Sequence, residues 1–479
     1  MRQFPQSSAA PHNPETRRDR LRFGLLTILL GATFLMGGSA RSDVSSLLIL
    51  RPLSAVIFVA TVLIAMPQAW HRAPWTVTIA AASLALCLLQ LVPLPAELWS
   101  ELPGRQIAVD VYRSVGLPLP WHPLTLTPQH TWNAAFFLLS PLSALILALT
   151  LRPVQVQRVL AGLIGFAILS AGIGALQSLG TPWLHWYAIT NRGAAVGLFA
   201  NQNHAALLSA CALPLLGLYT GSIGTLKGWA AVLAAVMLIP MILLTGSRAG
   251  LAWAALALPM MLWVHGRRAR SGRLAAAWPW LIAVAVAGVA ATFVMGGRVA
   301  ALLRLADTGG PGELRLNAAA AIWRAVGDHW PWGSGIGSFV EVYGIYEPQD
   351  LLGVAYLNHA HNDVLELLLT GGLPAAFLMV AGVASLVRAA PPAPLRGNDA
   401  AENRRWARAG WSIITLLSLA SLVDYPLRTP ILAVLLAVAA ALVARKTRVP
   451  PDVKGSAQHD RSDQAMDPYT SQPACTMQP

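Results

Sequence analysis

Apolar residues occur along the chain in long runs that are separated by short basic or Pro- and Gly-rich breaks. Most runs are about 17–25 residues long, the length that an α-helix needs to cross roughly 30 Å of hydrocarbon. The pattern therefore predicts an all-α, polytopic membrane protein. About twelve membrane spans are predicted, at approximately 21–40, 46–66, 75–92, 131–151, 157–179, 196–219, 228–245, 249–265, 274–295, 361–387, 409–424 and 428–444.

The composition agrees with this pattern. Of the 479 residues, 55% are apolar or aromatic and 11% are charged, and the mean hydropathy is +0.55. A soluble globular enzyme carries roughly 25% charged residues, so that class and a disordered chain are both excluded. The first run follows Arg17, Arg18 and Arg20 and ends in small residues, as a signal peptide would, but so many runs follow that an uncleaved first helix is predicted.

The charge distribution indicates topology rather than a nucleic-acid partner. The net charge is +13, yet no basic stripe carries interleaved aromatic residues. With a cytoplasmic N-terminus, the inner segments hold roughly twice as many Lys and Arg residues as the outer ones, which predicts both chain ends inside. The three cysteines, Cys87, Cys211 and Cys475, form no CxxC motif, so neither a disulfide framework nor a zinc site is indicated.

Two predicted outer connections are long, 93–130 and 296–360. In the second, apolar positions predict an amphipathic helix over 313–328, which could lie as a lid on the outer membrane surface. Leu314, Leu316, Ala320, Ile322 and Trp323 form its expected apolar face. The predicted organisation is a disordered cytoplasmic tail 1–20, nine spans in 21–295, a large periplasmic loop 296–360, three spans in 361–446 and a disordered cytoplasmic tail 447–479.

Polar residues near membrane spans are costly in hydrocarbon and are therefore functional candidates. Here they gather at the predicted outer ends of the spans: Arg192, Asn201, Asn203, His204, Ser247, Arg248, Arg315, Arg324, His359, His361, Asn362, Asp363, Asp424 and Arg428. Arginine binds phosphate oxygens through a planar fork of donors, and histidine can accept a proton from a hydroxyl near neutral pH. The combination predicts transfer of a group from a lipid diphosphate.

Several motifs in this set resemble one known family. They are Arg192-Gly193, GLFANQNHA from Gly197, LTGSRAG from Leu244, Arg315 with Ile322-Trp323, GSGIGSF from Gly333, NHAHNDVLE from Asn358, and Gly371-Gly372-Leu373-Pro374. Over about residues 190–430 the chain resembles the O-antigen ligase and polymerase family of bacterial envelope glycosyltransferases. One departure is visible, because Gly372 is followed three residues later by Ala375 where ligases often carry a second glycine.

The resemblance implies a GT-C-like, metal-independent, inverting glycosyltransferase of the bacterial inner membrane that needs no cofactor and whose site faces the periplasm. Its donor is a glycan on undecaprenyl diphosphate. The acceptor is lipid A–core in a ligase and another lipid-linked glycan in a polymerase. By motif, His361 is the general base, and Arg192, Arg315 and Arg248 bind the diphosphate. The implied supporting residues are Asn362, Asn201, Asn203, His204, His359, Asp363 and Glu366.

Simpler interpretations stay open for His361 and its neighbours. His361 could merely cap the following helix, or His359 and His361 could bind a metal ion with Asp363 or Glu366. An orienting hydrogen bond from Asp363 or Glu366 to His361 is favoured over the metal site. A transporter would place such groups near the bilayer midplane in two symmetric halves, a pattern that is absent from this sequence.

Other polar and aromatic residues also have structural explanations. Arg248 and Arg51 could be snorkelling anchors, Asn201 and His204 could form interhelical hydrogen bonds, and Asp424 and Arg428 could pair with each other. Three aromatic residues beside Arg192 could stack on sugar rings, namely Trp183, Trp186 and Tyr187. A protein O-oligosaccharyltransferase is a further alternative.

Overall fold

The computed structural model describes residues 16–220, 225–266, 311–352, 356–389 and 398–445, and within them the chain is almost entirely α-helical. The helices are α1 (Arg17–Met36), α2 (Leu47–Arg72), α3 (Pro74–Gln90), α4 (Ala96–Trp99), α5 (Gln106–Ser114), α6 (Pro128–Thr150), α7 (Pro153–Ser178), α8 (Gln202–Leu216), α9 (Leu226–Leu244), α10 (Arg248–His265), α11 (Pro311–His329), α12 (Phe339–Tyr346), α13 (Asp363–Ala389), α14 (Asn398–Ala420) and α15 (Pro430–Ala444). Two-residue strands, β1 (Pro93–Leu94) and β2 (His122–Pro123), pair antiparallel. The all-α prediction is confirmed.

Every predicted span except 274–295 overlaps one of these helices. That span, residues 296–310 of the predicted loop, residues 1–15 and the whole predicted tail 447–479 lie outside the described residues. In the described part of the chain, five helices are long and apolar enough to cross a membrane, namely α2, α6, α7, α9 and α13. The count of about twelve spans stays a prediction. The sixth predicted span starts late, at Gln202, because the Asn201 side chain accepts a hydrogen bond from the Asn203 backbone N–H and caps α8.

The centre of the bundle is α15, which is apolar and buried on nearly every side. It packs against α6 and α14, while α8 packs against α7, α9 and α10. A helix that is apolar all round is stable only when other helices or lipid surround it. The chain supplies such a position by enclosing its last described helix within the others.

Arginine side chains stabilise one end of this bundle. The C-terminal turn of a helix leaves carbonyl groups without intrahelical partners. Arg405 donates to the carbonyls of Gly217 and Leu218 at the end of α8, at 3.0 and 2.5 Å. Arg445 donates to the carbonyls of Ala148 and Leu151 near the end of α6, at 3.2 and 3.0 Å. These arginines are therefore more than surface anchors, because they satisfy the ends of two helices.

The predicted amphipathic helix 313–328 is confirmed as α11, but its buried face differs from the expected one. Ala318, Ala321, Ile322 and Ala325 are buried in a cluster with residues of α12 and α13. The spacing i, i+3, i+4, i+7 of these residues is the helical one. Ala320 and Trp323 are exposed instead, because the face of α11 that meets protein carries small side chains that permit close packing.

Helix α13 contains a kink at Gly372, where φ is +57° and ψ is −149°. A Cβ at this position would lie 2.2 Å from the Pro331 carbonyl oxygen. We expect Gly372→Ala to lower the melting temperature of the purified protein in detergent, because this backbone conformation alone costs an alanine about 1–3 kcal/mol.

Gly382→Ala is the matched control in the same helix, since the nearest atom to its added Cβ is 4.0 Å away. An alanine there should leave the melting temperature unchanged or raise it. Equal melting temperatures for the two variants would contradict the role given to Gly372.

Candidate active site

Several of the predicted polar residues meet at the end of the bundle opposite to Arg405 and Arg445. Asn203 lies in the first turn of α8, whose last carbonyls bind Arg405. Asp363 begins α13, and Asp424 and Arg428 lie in the turn between α14 and α15. The clustering expected from the sequence is therefore present in the folded chain.

His361 stands in an unusual backbone conformation just before α13. Its φ is +50°, and in the parts of the chain that the structure describes it is the only residue other than glycine with a positive φ. Such strained positions concentrate at functional sites. His361 does not cap the helix, because the Asn362 side chain accepts the hydrogen bond from the Leu365 backbone N–H at 3.0 Å. Asn362 thus fixes the helix start and leaves the His361 side chain for another contact.

That contact is with Asp424. His361 Nδ1 lies 3.2 Å from Asp424 Oδ1, and the Asn203 amide donates to Asp424 Oδ2 at 2.8 Å. Ser247 donates in turn to the Asn203 side-chain oxygen at 2.7 Å. A chain of hydrogen bonds therefore runs from the start of α10 to the imidazole, and it leaves Nε2 as the ring nitrogen available to a ligand.

The pKa of Asp424 supports this arrangement. Burial alone would raise the pKa of the carboxyl, but hydrogen bonds from His361 and Asn203 and the nearby histidines hold the pKa below its usual range. Asp424 is therefore a carboxylate at neutral pH. A carboxylate that accepts the Nδ1 proton fixes the tautomer in which Nε2 carries the lone pair.

A second cluster surrounds Arg428. Its Nε lies 3.2 Å from Asp363 Oδ1 and its Nη2 lies 3.4 Å from Glu366 Oε1. Glu366 also meets His359 Nδ1 at 3.1 Å and accepts a hydrogen bond from the Ala360 backbone N–H at 3.0 Å. Burial alone would lower the pKa of the Arg428 guanidinium, but the Glu366 and Asp363 carboxylates raise it.

Two expectations are corrected by these contacts. Asp424 and Arg428 do not pair with each other, because Asp424 pairs with His361 and Arg428 pairs with Asp363. The carboxylate beside His361 is Asp424 and is neither Asp363 nor Glu366. In the described residues no three His, Cys, Asp or Glu side chains are arranged to hold a metal ion, and the two histidines turn their Nδ1 atoms to different carboxylates.

Three histidine rings surround Tyr425. The ring centroids of His204, His359 and His361 lie 5.2, 4.6 and 4.8 Å from the Tyr425 ring. His204 is buried, and its Nδ1 lies 2.9 Å from the Thr429 hydroxyl at the start of α15. Tyr425 thus spaces the rings, a role that no sequence pattern indicated.

The three arginines assigned by motif lie elsewhere. Arg192 is exposed in the turn before α8, and Arg248 is exposed as the first residue of α10, next to Ser247. Arg315 belongs to α11, and its side chain is outside what the structure describes. Of the aromatic residues near Arg192, Trp183 and Trp186 are exposed. Tyr187 is buried, and its hydroxyl accepts a hydrogen bond from the Gly38 backbone N–H at 2.7 Å, so it cannot stack on a sugar.

A cavity of about 460 Å³ opens on the other side of the first turn of α13. His359, Asp363 and Glu366 line it, whereas His361 does not. Arg41, Arg51 and Arg428 also line it, and its apolar walls come from α2, α6 and α13 through Leu47, Leu50, Phe136, Phe137 and Leu367. The cavity therefore joins a cationic polar part to an apolar part.

Two of the cavity's arginines come from the polar break between α1 and α2 and from the start of α2. Arg41 forms an ion pair with Asp43 at 2.6 Å, and its hydrogen bond lowers the pKa of that carboxyl. Arg51 donates to the Ser42 carbonyl at 3.2 Å. Arg51 was a candidate from the sequence and Arg41 was not, although the polar residues between the first two apolar runs were a usable signal.

Fold and site together define a helical membrane protein whose buried ionisable residues gather at one end, beside an arginine-lined cavity. A family model described as O-antigen ligase matches residues 233–380, which confirms the family resemblance drawn from the motifs. The matched region includes Arg248, Arg315 and His361, but it does not reach Asn203 or Asp424. The similarity of this region to O-antigen ligases supports an O-antigen ligase- or polymerase-type function in a membrane enzyme. No curated protein matches the chain.

Proposed function

We propose that the protein is a ligase that moves a glycan from undecaprenyl diphosphate to a hydroxyl of lipid A–core at the periplasmic face of the inner membrane. The observation that carries the proposal is the pairing of His361 with Asp424 at 3.2 Å. The same end of the bundle holds the arginine-lined cavity, as a transfer from a lipid diphosphate requires.

His361 acts as the general base in this proposal. Asp424 accepts the Nδ1 proton, and Nε2 removes the proton from the acceptor hydroxyl. The hydroxyl oxygen attacks the anomeric carbon of the donor sugar as the bond from that carbon to the diphosphate oxygen breaks. A single displacement of this kind inverts the anomeric configuration. The electron pair leaves with the diphosphate, whose charge is stabilised by guanidinium groups, so the proposed step uses no metal ion.

The donor occupies the cavity beside α13. Its polar part offers Arg41 and Arg51 to the diphosphate, and its apolar walls suit the first units of the polyprenyl chain. Arg192, Arg248 and Arg315 stay in the proposal as further diphosphate ligands. In this proposal the donor sugar extends from the cavity past His359, so that its anomeric carbon meets the acceptor hydroxyl at His361 Nε2.

The second candidate is a polymerase, in which the acceptor is another lipid-linked glycan. The O-antigen ligase match supports either function, and the base and the arginines serve either reaction. The two functions therefore differ in the acceptor and share the chemistry.

We expect His361→Ala to reduce glycan transfer by about 10²–10⁴-fold, the usual contribution of a general base, while donor binding stays. Asp424→Asn should cause a smaller loss, because the imidazole keeps its place but loses the charge that holds its tautomer. Transfer by the purified protein in lipid, with separate measurement of donor binding, checks both. His71→Ala, an exposed histidine at the end of α2, is the control. Near-normal turnover of His361→Ala would rule out His361 as the general base.

Lysine substitutions test the diphosphate ligands, because a point charge does not reproduce the bidentate fork. We expect Arg51→Lys, Arg192→Lys and Arg315→Lys to lower transfer by about ten-fold or more each, since a charge-assisted hydrogen bond contributes roughly 1.5–3 kcal/mol. Arg388→Lys, at the far end of α13 and exposed, should leave transfer unchanged. Full activity of Arg51→Lys would exclude the cavity as the donor site.

Deletion of the gene in its host separates the two candidate functions. For a ligase we expect long polymer to accumulate on undecaprenyl diphosphate while lipid A–core stays bare. The check is to size lipid-linked glycans and lipopolysaccharide side by side. Single repeats on the carrier, or a single repeat on the core, would instead indicate a polymerase.

A further inference from the structure

The connection between α3 and α6 folds back on itself directly at the ends of those helices. Strand β1 begins at Pro93, three residues after the last residue of α3, and pairs with β2, which ends at Pro123. The Thr125 backbone N–H donates to the Gln90 carbonyl at 3.0 Å. Helix α5 lies within the loop that the β1–β2 pairing closes, so it stays near the ends of α3 and α6.

Helix α5 buries only part of its apolar surface. Val109 is 2% exposed, and on the same side Tyr112 meets the buried Trp99 ring with centroids 6.3 Å apart. Ile107 and Val111 of α5 and Val115 at its C-cap, spaced four apart, are 54%, 58% and 63% exposed. These three positions form one stripe along the helix surface, because residues four apart are neighbours on a helix.

The remaining face of α5 is polar. Gln106 donates to the Asp110 carboxylate at 2.8 Å, and Arg113 is exposed. The helix thus has a polar face, a face packed on protein and an exposed apolar stripe, the division found in helices that lie in a membrane interface.

Exposed apolar residues continue along the chain on both sides of α5. They lie at the end of α3, in the loop around α5 and in the first turns of α6: Leu88, Leu89, Val92, Leu98, Leu117, Trp121 and Trp132. Tryptophans are typical of the membrane–water interface. The stripe on α5 therefore continues the exposed apolar surface of α3 and α6, whose ends are joined by the loop that contains α5.

We propose that the Ile107, Val111 and Val115 stripe of α5 lies against the outer leaflet of the bilayer as an interfacial contact. The stripe contacts lipid because it continues the apolar surface of helices in the membrane bundle. The pairing of β1 with β2 keeps α5 beside those helices. The inference does not use the glycosyl-transfer reaction, and its test needs no activity.

Contacts of Arg105, immediately before α5, connect this surface to the cavity. Arg105 is buried and donates to the carbonyls of Leu124 and Gly333, at 2.5 and 3.1 Å. The Leu126 backbone N–H donates to the Ser334 carbonyl at 2.9 Å. Gly333 and Ser334 begin a Gly-rich turn that continues to Gly337 and Phe339, which line the cavity. Membrane contact by α5 thus holds one wall of the cavity in place.

Nitroxide labels on the full-length protein in vesicles of phosphatidylethanolamine and phosphatidylglycerol test the contact. The labels are placed through Ile107→Cys and Val111→Cys, with Asp110→Cys and Arg113→Cys as controls, in a Cys475→Ser chain whose other cysteines are buried. We expect the labels at 107 and 111 to meet oxygen, which concentrates in lipid, more often than a water-soluble nickel chelate. The controls should show the reverse.

Equal access of the chelate to all four labels would overturn the proposal. Shielding of positions 107 and 111 from both reagents would also overturn it, because a protein partner or a second copy would then cover the stripe. Hydrogen exchange at Ser334 and Gly335 is a second measurement that tests the connection to the cavity. It should rise in Val111→Asp but not in Arg113→Asp, and unchanged exchange in both would refute the connection.

Discussion

The ion cluster around Arg428 is the interaction on which the geometry of the site depends. A largely buried guanidinium that loses one carboxylate partner leaves uncompensated charge, which costs more than the pair contributes to stability. Arg428 therefore requires the first turn of α13, with Asp363 and Glu366, to sit against the turn between α14 and α15. That docking brings Asp424 beside His361, because the two residues lie only a few positions from the paired charges.

The same docking gives the first turn of α13 two different sides. His359, Asp363 and Glu366 contact the cavity, while His361 points to Asp424. The positive φ of His361 is what turns two histidines, two positions apart, towards different carboxylates. The strained backbone of His361 and the helix cap by Asn362 thus direct the His361 side chain away from the cavity. The base nevertheless stays close to His359, which lines the cavity.

Arginines at the two ends of the bundle have different partners. At one end, arginines satisfy helix C-terminal carbonyls, as Arg405 does for α8. At the other end, arginines face carboxylates and a cavity, as Arg41 and Arg428 do. A rigid apolar core around α15 joins the ends, and rigid elements hold a site more accurately than loops do. This division fits an enzyme that meets a lipid-linked substrate at one membrane surface.

Hydropathy and capping act within a few residues, so the positions of the helices follow from the sequence alone. Helix α8, for example, starts where the neighbouring Asn201 side chain caps it. The sequence also determined which residue types gather at one end. Only the tertiary structure decided their partners. Asn203 and Asp424 are 221 positions apart, and His361 and Asp424 are 63 apart, so no local pattern could distinguish Asp424 from Asp363 or Glu366 as the carboxylate beside the histidine. That choice follows from the way the apolar helices pack and from the cost of leaving any buried charge unpaired.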